Sequence, residues 1–76
     1  MQVTELPPLD EFVDMRHLLP NVAQTFQTED SVRWFVRRHR DALASSGAII
    51  IVTGRMRFHP TRFKQVAVEI GQRAAA

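Results

Sequence analysis

Between Thr28 and Leu43 the residues Val32, Phe35, Val36, His39 and Leu43 recur at i, i+3, i+4, i+7 and i+11, the spacing of a single buried helix face. Thr28 stands where an N-cap hydroxyl would accept a free backbone N–H, and Glu29 and Asp30 suit the positive end of the helix dipole. Ser45-Ser46-Gly47 ends the helix, with Gly47 as a left-handed residue just past it. Ala48 to Val52 is apolar, largely β-branched and too short for a lone helix, so it reads as a buried strand. Thr53-Gly54 turns the chain back. Arg55-Met56-Arg57-Phe58 alternates charged and apolar, which predicts Met56 and Phe58 facing inward and both arginines facing solvent. His59-Pro60-Thr61 starts a last helix whose stripe is Phe63, Val66, Ala67 and Ile70, with Arg62, Lys64, Gln65 and Glu69 outside.

The N-terminal pattern is weaker. Residues 1–8 include Pro7-Pro8 and read as an irregular arm. Leu9, Phe12 and Val13 suggest a short helix between Leu9 and Leu18. Leu19-Pro20-Asn21 marks a break and a new helix start, after which Val22, Ala23 and Phe26 give one apolar side and Gln27-Thr28 is a tight connection. The inner face of the hairpin (Ile49, Ile51, Met56, Phe58, or their register neighbours) closes a shared core. The expected fold is α+β, mainly α: a winged helix-turn-helix with a short helix, a recognition helix, a two-stranded wing and a C-terminal helix. The expected organisation is an arm over 1–18, the domain over 19–73 and a frayed tail over 74–76, with fraying from Gly71 onward.

Length and composition narrow the class. Seventy-six residues without cysteine make one domain near the lower size limit for an unstapled core. No run approaches the roughly 18 apolar residues of a membrane span, and the N-terminus is acidic where a signal peptide is basic. A cytoplasmic, nucleoid-associated protein is expected. The net charge of +2 conceals an asymmetry: residues 1–30 hold six acids and one base, net −5, and residues 31–76 hold nine bases and two acids, net +7. Nine of the ten bases are arginine, the fork-shaped donor for phosphate and guanine. The C-terminal part therefore expects a polyanion.

The segment Leu19 to Phe63 resembles the excisionase-like, or AlpA/MerR-type, winged helix-turn-helix DNA-binding domains. The resemblance rests on Ala23 at the family's buried-alanine position and Thr28 at its cap. Ser31-Val32-Arg33-Trp34-Phe35-Val36 lies on the recognition-helix run, Gly54-Arg55 at the wing tip, and Phe58-His59-Pro60 with Phe63 at the entry to the last helix. It covers a little over half the chain. Two features depart from the family: the connection from Arg40 to Ala48 is longer by about one helical turn, which extends the recognition helix, and Trp34 stands where a basic residue is frequent. The resemblance implies sequence-specific binding of duplex DNA, in recombination directionality or transcriptional control of a mobile element.

On this reading Thr28, Asp30, Ser31, Arg33, Trp34, Arg37 and Arg38 are the recognition-helix candidates, with Arg33 and Arg37 one turn apart and able to reach one groove. Asp30 either accepts from a cytosine amino group or only caps the helix. The wing offers Thr53, Arg55 and Arg57, for the backbone or a narrow minor groove. Arg40, Arg62 and Lys64 are phosphate candidates. For Trp34 a partly buried structural role is expected, with a stacking or partner-binding group as alternatives. His17, His39 and His59 have no metal-ligand spacing, Ser45 and Ser46 lack a nucleophile context, and no phosphate-cradling glycine loop is present. An enzyme, a cofactor, a metal and a small-molecule substrate are thus not expected. So small a module would need a homodimer, cooperative assembly or a protein partner for tight specific binding. The competing reading is a protein-interaction module whose basic face binds an acidic partner.

Overall fold

The α2 helix, Glu29–Arg38, begins where the sequence places it. Thr28 Oγ1 accepts from Ser31 N at 3.1 Å, and Ser31 Oγ accepts from Thr28 N at 3.3 Å, a reciprocal capping box. A computed structural model describes residues 6–76. Its elements are a 3-10 turn at Leu9–Glu11, α1 at Met15–Val22, α2, α3 at Arg40–Ser45, β1 at Ile49–Val52, β2 at Arg55–Phe58 and α4 at Pro60–Ala75.

Two N-terminal expectations are overturned. The single helix expected between Leu9 and Leu18 is a 3-10 turn, an extended step and then α1, capped by Asp14, whose carboxylate accepts from His17 N at 3.0 Å. Pro20 does not break the chain: it lies inside α1. A proline there lacks one i→i−4 bond, but Leu18 and Val22 on the same helix are buried in the core, and the Asn21 side chain donates to the His17 carbonyl at 3.0 Å. The division expected between residues 18 and 19 therefore falls inside a helix. Phe12 is buried, and Val13 exchanges two 2.8 Å backbone bonds with Phe58, adding one bridge to the free edge of β2. The segment expected to be an arm thus belongs to the fold from Phe12 onward. Ala23 is exposed and ends α1, so the buried-alanine part of the resemblance does not hold.

The helix expected to serve as the recognition helix is also shorter than the sequence suggests. His39, at φ −124° and ψ 33°, leaves helical geometry, and the residues beyond it form the separate α3. The apolar stripe survives the kink because the aromatic contacts continue through it: Phe35 lies 4.7 Å from His39 and 5.8 Å from Phe63, ring centre to ring centre. Leu43 on α3 is fully buried.

The hairpin pairs Ile49 with Phe58, Ile50 with Arg57, Ile51 with Met56 and Val52 with Arg55. Ile49 and Phe58 are buried, Met56 is half-buried against the core, and Ile51, expected inside, is exposed. Thr53 and Gly54 both have positive φ, 52° and 76°, the geometry of the two-residue turn that favours Asn-Gly. A β-branched residue there is strained. Thr53→Asn should raise stability by about 0.5–1 kcal/mol, read as a higher urea midpoint with an unchanged slope.

The last helix is capped by a histidine. His59 is buried; its Nδ1 accepts from Arg62 N at 3.1 Å, so Nε2 carries the proton that it gives to Glu11 Oε1 at 2.9 Å. Phe12 packs edge-on to the ring. One side chain thus caps α4 and ties it to the N-terminal segment. His59→Ala should cost about 1–2 kcal/mol in equilibrium unfolding, and His59→Asn should recover part of it as a competent cap. Beyond its packed half, α4 continues through Gly71 to Ala75. Among the described residues no helix is long and apolar enough to cross a membrane.

Candidate nucleic-acid interface

The arginines of α2 and α3 alternate around the helix surface, and the fold sorts them. Arg33, Arg37 and Arg40 follow one another at intervals of four and three, so they share a side that the apolar stripe leaves open. Together with Met15, Val36, Met56 and Phe58 they line a cleft of about 380 Å³ between α2, the start of α1 and the hairpin. The cleft is thus open and two-sided in chemistry, with three arginines on one side and thioether, aliphatic and aromatic side chains of α1, α2 and the hairpin on the other. Arg37 and Arg40 also border a shallow notch at the kink, with Arg38, His39 and Asp41. Arg40, expected only as a phosphate contact, thus lines the cleft together with Arg33 and Arg37.

Arg33 is already engaged. Its Nη2 donates to Glu29 Oε1 and its Nη1 to Asp30 Oδ1, both at 3.0 Å. The side chain remains half exposed and that of Asp30 is 94% exposed, so these pairs are solvated and worth tenths of a kcal/mol. Thr28 and Ser31, expected to face a groove, spend their hydroxyls on the cap, and Ser31 Oγ also donates to the Thr28 carbonyl at 2.7 Å. Their first duty is to start the helix.

Trp34 corrects the expectation of a partly buried structural residue. It is 56% exposed, and the Arg38 guanidinium lies 5.0 Å from its ring centre, a cation–π pair one turn apart. This pair stands beside the cleft, outside its lining. Arg38 is consequently held by an aromatic face.

Arg55 and Arg57, the arginines expected on a wing, do not line the cleft. Met56 and Phe58 face it, and strand alternation sends Arg55 and Arg57 to the other face of β2, with Ile50 and Val52. Arg55 is exposed and Arg57 half-buried. The Asp14 carboxyl is held below its ordinary range by hydrogen bonds from the His17 side chain and backbone, then by the charges of His17 and, least, Arg57. A depressed carboxyl pKa adds stability that is present above the unfolded value and fades as pH falls toward the folded one. The Arg57 charge is thus partly answered within the fold. Thr53 is exposed at the turn.

Two phosphate candidates lie elsewhere. Arg62 is half-buried and its Nη1 donates to the Ser46 carbonyl at 2.9 Å, at the end of α3, where it also lies close to Gly47. That contact satisfies a helix terminus and suits the dipole. Lys64 borders a separate cleft of about 280 Å³ formed with Val22, Phe26, Phe63 and Val68. Sequence reasoning missed Met15, which the overlooked Asp14 cap brings to the cleft, and the floor of Val36, Met56 and Phe58, which the same periodicities assigned to the core. Among the described residues no group of His, Cys, Asp and Glu is assembled that could hold a metal ion. Comparison with protein-family models, with curated proteins and with solved structures gives no match, so the reading of this site rests on its own residues.

Proposed function

We propose that the chain is a double-stranded DNA-binding module of winged helix-turn-helix type, in which α1, the turn and α2 form the helix-turn-helix and the β1–β2 hairpin the wing. The observation that carries this reading is the arginine wall: Arg33, Arg37 and Arg40 side by side on the exposed face of α2 and α3, next to a protruding hairpin. A helix presenting that face to a major groove meets base edges near its N-terminus and phosphates toward Arg37 and Arg40. Arg55 flanks the hairpin turn on the face of β2 away from the cleft, so it would add to this contact only at backbone beyond the hairpin tip. A module this small reads few base pairs, so a role as an excisionase-like factor or small regulator involves a homodimer, cooperative assembly or a partner on DNA.

Fluorescence titration of a labelled duplex at several salt concentrations tests it. The reading expects a log–log slope of about −3 to −5, one counterion for each phosphate neutralised, and a preferred site in a random duplex pool. A flat salt response with no preferred site would defeat it.

The apolar floor of the cleft favours a second reading, an acidic amphipathic protein segment seated between α2 and the hairpin. Met15, Val36, Met56 and Phe58 would take its apolar side chains and the arginines its carboxylates. Trp34, the single tryptophan, neighbours Arg33 in sequence and offers a fluorescence signal with which to look for such binding. Duplex DNA would then compete poorly with an acidic amphipathic peptide.

A further inference from the structure

We infer that Arg33 with Glu29 and Asp30 forms a preassembled reader of one G·C base pair in the major groove, an inference that rests on the DNA-binding reading above. A G·C pair displays there two acceptors, guanine O6 and N7, beside one donor, the cytosine N4 amino group. The first turn of α2 displays the complementary set. Its acids engage the guanidinium in solvated ion pairs without saturating it. Two of the five N–H groups of an arginine side chain go to Glu29 Oε1 and Asp30 Oδ1, and three remain to meet an acceptor pair. Asp30 Oδ1 is engaged by Arg33, while its other oxygen, on a side chain 94% exposed, is open among the described residues to accept from an amino group. The trio lies at the N-terminus of α2, the part of a recognition helix that meets base edges, and Arg33 lines the cleft that Arg37 and Arg40 share.

The pairing also assigns a division of labour. A phosphate approaching Arg33 must displace or tolerate two carboxylates, so nonspecific backbone contact is disfavoured at this residue. A G·C pair leaves the ion pairs in place and satisfies an acid as well. Arg37 and Arg40, which have no carboxylate partner among the described ion pairs, take the phosphates. Arg33 therefore contributes site preference with little salt dependence, and Glu29 and Asp30 act as specificity-determining residues through repulsion of the wrong partner as well as attraction of the right one.

The experiment uses the full chain and the duplex it selects from a random pool. Each guanine of that site is replaced in turn by 7-deazaguanine, which lacks the N7 acceptor, or by inosine, which keeps O6 and N7 and loses only the minor-groove amino group. At one position 7-deazaguanine should weaken binding by roughly 5- to 50-fold while inosine changes it less than about 2-fold. In Arg33→Ala that 7-deazaguanine penalty should vanish, with the salt slope retained. In Asp30→Asn, whose amide can still accept through its oxygen but no longer repels phosphate, binding to unrelated duplex should rise severalfold more than in the distant control Glu69→Gln. Selected sites without such a guanine, or a penalty that persists in Arg33→Ala, overturn the inference while leaving duplex binding intact. A wild-type protein that binds no duplex ends both this inference and the reading beneath it. Circular dichroism melts of the variants separate loss of contact from loss of fold.

Discussion

Phe63→Ala is expected to leave the chain largely without a cooperative folding transition at 37 °C. Phe63 is fully buried and meets Phe26, Phe35 and Phe58 at ring-centre distances of 5.8, 5.8 and 6.0 Å, at steep angles of 70°, 59° and 77°. It is the point at which the α1–α2 turn, α2, the hairpin and α4 touch one another. Truncating a buried phenylalanine costs about 3–5 kcal/mol, and losing three ring contacts, two of them edge-on, adds to area loss alone. A domain of 76 residues holds only about 4–11 kcal/mol in total. The substitution therefore removes a large share of the margin. A thermal melt followed by circular dichroism should show a broad, low transition or none, whereas Val68→Ala, on an exposed site of the same helix, should melt within a few degrees of the parent. A sharp melt for Phe63→Ala near that of the parent would mean that the aromatic cluster is not what joins the elements.

Much of this cluster is legible in the chain, and the reasons explain what is not. Phe35, Val36 and Leu43 fall on one helical period, Phe58 on a strand period, and Phe63 and Val66 on another helical period, so each element announces its own buried side. Start signals are equally local: the cap at Thr28, the turn at Thr53-Gly54 and the proline after His59 each act within a few residues. The kink at His39 is different: α2 and α3 share one unbroken apolar period, which conceals the break in helical geometry between them. Pro20 misleads for the opposite reason, since a strong local signal is overridden by burial of Leu18 and Val22 on either side of it. Ile51 shows that strand alternation gives a face but not the depth of the partner behind it. At the interface, residue type identified the basic helix, but only side-chain placement separates Arg33, Arg37 and Arg40 from Arg38 on Trp34 and Arg62 at the end of α3. The tie from His59 to Glu11 is also hidden, because the two stand 48 residues apart and meet beside the bridge between Val13 and Phe58.

The second large effect concerns the arginine wall. Arg37→Ala with Arg40→Ala should weaken duplex binding by roughly 30- to 150-fold at low salt, about 1–1.5 kcal/mol for each charge-assisted phosphate contact removed. It should also lower the magnitude of the log–log salt slope by about 2, near one unit for each phosphate released. Both side chains are exposed and belong to no ion pair among the described residues, so the fold should tolerate their loss; at most α2 forfeits some dipole compensation from Arg37 in its last turn. The control is Arg73→Ala, which removes the same charge from the last turn of α4, outside the cleft. If long-range attraction to net positive charge were the whole of the binding, removing one charge at Arg73 would cost as much as removing one from the wall, and the penalty would fade with ionic strength in the same way. A larger loss for Arg37 and Arg40, with a slope change confined to them, requires direct contact at the cleft. Equal losses would leave the three-arginine face as surface charge with no bound duplex against it, and would turn attention to the apolar floor and an acidic protein partner.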